Sequence, residues 1–437
     1  MLPSRQDPPA IPYAGAVAAH GPQPLLERPG VRPAGARQVF RDLGVPYVSN
    51  GVIGLIFSVS GPIAVTLAVG AAGGLTEAQL ASWVFGILFS GGAATLVMSL
   101  LYRQPLGFAW SIPGTVLLGP SLQHLSFAEV VGAFFTSGIL ILALGATGVV
   151  RRIMAAVPMP IVMSMVAAVF LKFGTDIIVS TQANPLVAAP MVAAFLVLTA
   201  IPALGRFLPP VLGTLAVGCL AVAASGQFSF QGGGPILATP VFTVPEFTWA
   251  AQFELVVPLA LTVLFVQNGQ GIAVLRAAGH NPPVNVFAMV SGAFSVFNAG
   301  CGAVSACVTG PTNALMTSSG TRRRQYAAAV VFGVLAMACA LLAPALTRLM
   351  LATPKEFILA LGGIAMLRAL QQAFVTAFAT AFTLGSLVTF VVTISGLSLF
   401  NIHPAFWGLV SGYLVSRLLE SADHARPLRE DGQGQSK

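Results

Sequence analysis

The chain has 437 residues, of which 56% are hydrophobic and 8% charged, against about a quarter charged in an ordinary soluble domain. That balance excludes a soluble globular protein and leaves an all-α polytopic membrane protein whose first partner is the lipid bilayer. The net charge of +8 does not point to nucleic acid, because the basic residues sit in short loops and tails, where insertion into a bacterial inner membrane requires them.

Residues 1–45 are dominated by Pro, Gly and Arg without an apolar run, which predicts a disordered cytoplasmic tail rather than a signal peptide. Apolar segments then follow near 47–71, 79–101, 106–122, 127–149, 157–178, 185–203, 208–225, 250–271, 283–298, 301–317, 325–347, 354–373, 377–396 and 400–417. A full crossing takes about 20 helical residues. The third and tenth segments are weak and interrupted, so they read as half-helices joined to extended backbone, tolerable only inside a protein-lined cavity. The expected layout is a first repeat over 46–225, a periplasmic loop over 226–249, a second repeat over 250–418 and a cytoplasmic tail over 419–437.

Loop charges agree with fourteen crossings and cytoplasmic termini. Arg103, Arg151, Arg152, Arg206, Arg276 and Arg322 through Arg324 all fall in loops expected on the cytoplasmic side. Arg348 and Lys355 dissent, bracketing a turn that should lie outside. The turn from Arg348 and the one from Arg152 both read Arg-x-Met-x-Ala-x-Pro, and each carries a base fourteen residues after its proline, Lys172 and Arg368. The same offset of 196 maps Gly114 onto Gly310. Seven crossings per copy is an odd number, so the second copy must be inverted, giving a 7+7 inverted repeat with broken segments 3 and 10.

Inverted repeats with discontinuous helices are the layout of secondary transporters. In WSIPGTVLLGPS, Ser111 is suited to cap a helix, Pro113 to its first turn, and Gly114 to close approach of another backbone or a ligand; Trp110 and Thr115 flank them. Thr309, Gly310, Pro311 and Thr312 occupy the second break. Two helix N-termini facing each other make an anion site without a basic side chain; the alternative is a pair of proline kinks with a packing role. Segment 8 adds Gln267, Asn268 and Gln270, which either donate to a carboxylate or hydrogen-bond between helices, Gln270 more readily the latter. Ser58 and Ser60 in segment 1 either line the same cavity or allow close helix packing. Phe108 and Trp110 either stack on a planar apolar substrate or pack at the membrane interface.

Among charged residues, Lys172 and Asp176 are four apart and read as a structural pair. Glu129 and Glu254 lie near segment starts, where headgroups can solvate them; Glu254 is the acidic candidate for proton coupling because it shares a helix with Gln267. His124 and His280 read as interfacial. Cys219, Cys301, Cys307 and Cys339 have no metal-ligand spacing and read as small buried hydrophobes. No metal cluster, nucleophile–base set or phosphate loop appears, so neither a cofactor nor catalysis is expected.

The runs VQNGQGIAVLRAAGHNPPV, RQPLGFAWSIPGTVLL and TISGLSLFNIHPAFWGLVSGYLV resemble the bacterial benzoate:proton symporter family over about residues 42–417. That family looks related in fold to the nucleobase, ascorbate and sulfate transporters. The resemblance implies a core domain of segments 1–4 and 8–11, a gate domain of segments 5–7 and 12–14, and a substrate held between the two breaks. Nucleobase carriers of this fold usually carry a glutamate in mid-segment 8, where this chain has Gln267 and Asn268; that departure disfavours a uracil-like substrate. The run SACVTGPTNALMTS is richer in hydroxyls and amides than expected of benzoate carriers, which leaves room for a more polar aromatic acid. The resulting expectation is uptake of a small aromatic carboxylate with a proton, by alternating access. An anion channel or uniporter of the same fold is the alternative. A flat apolar gate face would suit a homodimer, which no residue fixes.

Overall fold

A computed structural model describes residues 26–150, 158–201, 203–204, 208–229, 233–379, 381–397, 399 and 404–425. The start of the expected N-terminal tail, the Arg151–Arg152 turn, Arg206 and residues 426–437 of the expected C-terminal tail lie outside the described residues.

The chain is helical nearly throughout. Its elements are α1 (Ala36–Asp42), α2 (Val45–Val59), α3 (Gly61–Ala72), α4 (Glu77–Tyr102), β1 (Phe108–Trp110), α5 (Ile112–Ser121), α6 (Phe127–Thr147), α7 (Met159–Ala183), α8 (Pro185–Ala200) and α9 (Pro210–Ala224). There follow α10 (Trp249–Ala277), α11 (Val284–Gly300), β2 (Ala306–Val308), α12 (Gly310–Thr317), α13 (Tyr326–Leu341), α14 (Ala343–Leu351), α15 (Lys355–Phe378), α16 (Thr383–Ile394), α17 (Pro404–Leu419) and α18 (Ser421–Ala425). Seven spans among the described residues are long and apolar enough to cross a membrane, and α8, α9, α11 and α16 are shorter apolar helices. Every apolar segment read from the sequence contains helix, and segments 3 and 10 are each a three-residue strand followed by a short helix.

Small residues let these helices approach closely, as packing without a hydrophobic drive between helices demands. A side chain on Gly92 would meet Gly333 O on α13 at 2.7 Å, and one on Gly138 would meet Val296 N on α11 at 2.9 Å. A side chain on Gly363 of α15 would meet Phe173 O on α7 at 2.5 Å.

The two ends of the bundle are held differently. At one, here the arginine end, Arg103 lies over the Tyr326 ring, Arg324 Nε donates to Asp42 O at 2.9 Å and Arg322 to Gly279 O at 2.9 Å. The other, the loop end, is covered by the segment before α10, although it also carries a base, Arg348, at 3.9 Å from Glu77. There Ala238 N–H donates to Leu341 O, Val241 N–H to Ser82 Oγ and Glu246 N–H to Ala128 O.

Both expected tails are corrected where they are described. Residues 26–45 are docked, not loose: Glu27 accepts the N–H groups of Asn285 and Val286 at the start of α11, and Ala34 N–H donates to Leu100 O. Beyond α17, Glu420 accepts Leu384 and Gly385 N–H, and Asp423 accepts Phe382 N–H. The reason is the same at both places: a helix N-terminus has orphan donors and a positive dipole end, and a nearby carboxylate satisfies both.

Asp42 anchors the arginine end. Its Oδ2 accepts from Gln38 and Tyr326, each at 2.7 Å, with Arg103 at 3.8 Å. Burial pushes this carboxyl up, but the hydrogen bonds from Gln38 and Tyr326, with Arg41 and Arg103, outweigh it and hold it below the ordinary aspartate range. A lowered carboxyl adds stability above its ordinary range and loses it as pH falls through the lowered value. Asp42→Asn is therefore expected to cost about 1–3 kcal/mol at neutral pH. Its thermal unfolding in detergent should fall below wild type at pH 7, with the gap closing below about pH 4; equal curves at pH 7 would refute the anchor.

Candidate functional site

The breaks meet. β1 and β2 pair antiparallel, with Phe108 opposite Val308, Ala109 opposite Cys307 and Trp110 opposite Ala306. A two-stranded ribbon leaves two unpaired edges, and a buried edge costs free energy unless other groups satisfy it. Side chains from the flanking helices do so. Thr95 Oγ1 accepts Phe108 N–H at 2.8 Å, Ser295 Oγ accepts Ala306 N–H at 3.0 Å, and Asn268 Oδ1 accepts Val308 N–H at 2.8 Å. Asn313 reaches across, its Oδ1 accepting Gly107 N–H and its Nδ2 donating to Gly107 O, both at 2.9 Å.

Two helices leave this ribbon in opposite directions. Their starts match at an offset of 198, not 196: Ser111 and Thr309 are the N-cap residues, and Pro113 and Pro311 each hold the second helical position. Gly114 is thus equivalent to Thr312 rather than to Gly310. The offset of 196 holds for α7 and α15, which start at Met159 and Lys355. The second copy is therefore two residues shorter between its break and the helix that follows, Thr309 to Lys355 against Ser111 to Met159.

The two N-termini are not alike. Ser111 Oγ accepts Gly114 N–H at 3.0 Å and donates to Thr262 Oγ1 on α10, closing the α5 end. Thr115 Oγ1 donates back to Ser111 O. At α12, Thr309 makes no cap, and its hydroxyl is buried without a partner among the described residues. The first-turn N–H groups of Gly310 and Thr312 therefore remain available to a ligand. Gln270 borders this end: a side chain on Gly310 would meet Gln270 Oε1 at 3.4 Å.

The other sequence candidates fall as follows. All eleven predicted substrate residues are buried. Gln267 Nε2 lies 3.5 Å from Trp110 O, at the limit of a hydrogen bond, so its amide is loosely held beside the ribbon. Asn268 departs from the expected role of carboxylate donor: its Oδ1 holds β2, and its Nδ2 lies 3.3 Å from Ser291 Oγ. Trp110 donates to Thr66 Oγ1 at 3.2 Å, and Phe108 packs edge-on against Phe287 at 5.5 Å, so the Phe108 ring belongs to packing. Ser58 and Ser60 bond to Gly54 O and Phe57 O, and the helix breaks at Ser60 between α2 and α3. Lys172 and Asp176 pair at 2.9 Å. Glu254 lies at the far end of α5, bonded by Ser121 and 2.9 Å from His124 Nε2.

Asn313 and Thr66 escaped the sequence reading. Asn313 had a signal, an amide in an apolar run four residues after Thr309; Thr66 had none. Gln270, ranked below its two neighbours, proves to sit against the uncapped helix.

Exposure along the helices beside the breaks differs between the two ends. Toward the loop end, residues 61–70 of α3 are buried apart from partly exposed Ala68, while Ala71 and Ala72 are exposed, and α15 packs on it, Gly362 against Val65 and Gly61 against Ala365. Toward the arginine end, α2 exposes Val45, Val48, Ser49 and Ile56, and α15 exposes Leu367, Arg368, Gln371 and Val375. Pro311 is exposed and Gln270 half-buried at the start of α12, whose far end Asn50 joins to α2 by donating to Leu315 O.

Residues 41–418 match the model of the benzoate membrane transport protein (BenE) family. The chain is 29% identical over 390 residues to the inner membrane protein YdcO of Escherichia coli (strain K12), covering 86% of this chain and 96% of that one. It is 26% identical over 376 residues to the benzoate membrane transport protein of Acinetobacter baylyi (strain ATCC 33305 / BD413 / ADP1), covering 84% and 94%. Among solved structures, the transmembrane domain of the cyanobacterial bicarbonate transporter BicA superposes with a TM-score of 0.55 at 14% identity, over 87% of this chain and 99% of that domain. Murine Slc26a9, an anion transporter in the inward-facing state, gives 0.53 at 13% identity over 91% and 73%. These structural likenesses carry the fold alone.

The two amides are separable by experiment. Asn268→Ala leaves Val308 N–H buried without an acceptor and should cost about 1–3 kcal/mol of stability, lowering the unfolding temperature without ligand. Gln270→Ala should leave that temperature unchanged and reduce the upward shift caused by an aromatic carboxylate. Equal effects of the two in a thermal-shift assay would overturn this division of roles.

Proposed function

The chain belongs to the benzoate membrane transport protein family, and on that premise we propose that it carries benzoate or a closely related aromatic carboxylate across the bacterial inner membrane together with a proton. The observation that carries this reading is the uncapped start of α12, where Gly310 and Thr312 N–H groups, the unpartnered Thr309 hydroxyl and the Gln270 amide converge beside the strand pair. Such a site neutralises a carboxylate through dipoles and donors rather than through a cation. The names of the two curated relatives support the membrane and the substrate class.

We propose further that the helices form fourteen crossings in two inverted sets of seven. Segments 1–4 and 8–11 make a core that carries both breaks, and segments 5–7 and 12–14 make the gate. Support comes from the matched breaks, the shared helix starts after Pro158 and Pro354, and the clustering of Arg103, Arg322 and Arg324 at one end. By the positive-inside rule the arginine end faces the cytoplasm. The exposure of α2, α12 and α15 at that end then corresponds to an inward-facing state. Transport follows if the core moves the paired breaks past the gate, exchanging the α3–α15 contact for one at the arginine end.

One observation favours uncoupled uniport or channel conduction instead. Glu254, the candidate proton acceptor, is separated from the Ser111 break by the length of α5, about 15 Å for ten residues.

Purified protein in proteoliposomes should accumulate labelled benzoate when the proton gradient is directed inward and only equilibrate it without one. Uptake insensitive to the gradient would refute coupling, and currents unaffected by benzoate would favour a channel. Gln270→Ala should weaken apparent substrate affinity by about tenfold or more, since a hydrogen bond to a charged group contributes about 1.5–3 kcal/mol.

A further inference from the structure

Glu254 has none of its side chain exposed, yet one residue separates it from solvent. His124, whose side chain is 39% exposed, sets Nε2 at 2.9 Å from Glu254 Oε2, and the Ser121 hydroxyl donates to Oε1. His124 Nδ1 has no protein partner among the described residues. The acid lies in a π-helical turn of α10, Gln252–Val256, a winding frequent at functional sites.

The charged groups on the surrounding elements are accounted for. Glu129 on α6 accepts Ser126 N–H and the Thr248 hydroxyl, and is a second carboxylate close enough to His124 to attract its cationic form. Glu246 lies on the covering loop, its N–H on Ala128 O. Lys172 and Asp176 of α7 pair with each other, and α3 carries no titratable residue. No cation other than His124 lies within ion-pair distance of Glu254 among the described residues.

We infer that His124 and Glu254 form the proton port of this carrier, with His124 passing protons between the loop-end solvent and the buried acid. The inference rests on the proton-coupled reading above. A proton arriving at Nδ1 releases the one on Nε2 to Oε2; neutral imidazole and carboxylate become neutral imidazole and carboxylic acid, and the reverse transfer discharges the port. No other reactant is needed. The charge lost from Glu254 weakens its bond from Ser121, because charge-assisted hydrogen bonds are about twice as strong as neutral ones. α5 links that change to the break, since α10 holds it at both ends, through Ser121 to Glu254 and through Ser111 to Thr262. The port is thus separate from the anion site and connected to it by one short helix.

The full-length protein in proteoliposomes tests this by infrared difference spectroscopy across pH, without substrate, alongside gradient-driven benzoate uptake. Wild type should show a protonated-carboxyl C=O band that titrates. Glu254→Gln should remove that band and abolish accumulation. His124→Asn should keep the acid, shift its titration and slow gradient-driven uptake at least about tenfold, since a proton-transfer group contributes about 100-fold or more to its step. A band unchanged in Glu254→Gln, no titrating band in wild type, or a His124→Asn pH profile that coincides with wild type would each overturn the port. A band and His124 dependence as expected, in a protein that does not take up benzoate, would uphold the port and defeat the benzoate reading. Should Glu254→Gln fail to fold, the His124→Asn titration decides alone.

Discussion

The structure depends on a six-residue pairing that a membrane interior normally forbids. Backbone in extended form leaves donors and acceptors that hydrocarbon cannot satisfy, so it persists only where every edge is matched. Here β1 and β2 satisfy each other on their inner edges, while Thr95, Ser295 and Asn268 take the outer ones. Asn313 and Ser305 extend the match beyond the strands, Ser305 O accepting Ser111 N–H at 3.0 Å. Once the ribbon is fixed, two helix starts are held back to back in the middle of the bundle, and the remaining helices have to pack around them.

Polar residues that look expendable in so apolar a chain acquire a purpose from this constraint. Hydroxyls and amides on α4, α10, α11 and α12 are scaffold for the backbone before they are contacts for a solute. What is left unsatisfied is then informative. Ser111 closes the α5 terminus with its own side chain, whereas Thr309 leaves the α12 terminus open with an orphan hydroxyl. An asymmetric pair of helix ends in an approximately two-fold arrangement is a reason to place the anion nearer α12 in the proposed mechanism.

The same helix, α5, gives the proposed carrier a mechanical link. Its start sits on the ribbon and its end on Glu254, with α10 as the partner at both contacts. A carboxylate and an anion that share a small cavity repel; keeping them at opposite ends of a helix avoids that cost and leaves position, rather than direct contact, to transmit the state of one to the other. The two π-helical stretches of α10, Gln252–Val256 and Thr262–Gln267, fall at those two contacts.

Hydropathy by itself determined the polytopic membrane class and marked the two interrupted segments, because both follow from the length of chain needed to span hydrocarbon. The Pro-Gly breaks fall where β1 and β2 pair, and the family resemblance carried by the segment 8 run agrees with the family match over residues 41–418. Tertiary structure decided what distance in sequence conceals. The sequence favours Asn268 over Gln270 as the carboxylate donor, yet a separation of two residues, about half a turn of helix, puts the first on β2 and the second at Gly310. His124 reads as an interfacial residue until folding brings Glu254, 130 residues away, within 2.9 Å. Glu27 and Glu420 sit in tails too polar to predict order, and only the helix ends they cap reveal why they are held. A side chain's role depends on which orphan group lies opposite it, and that group usually comes from another part of the chain.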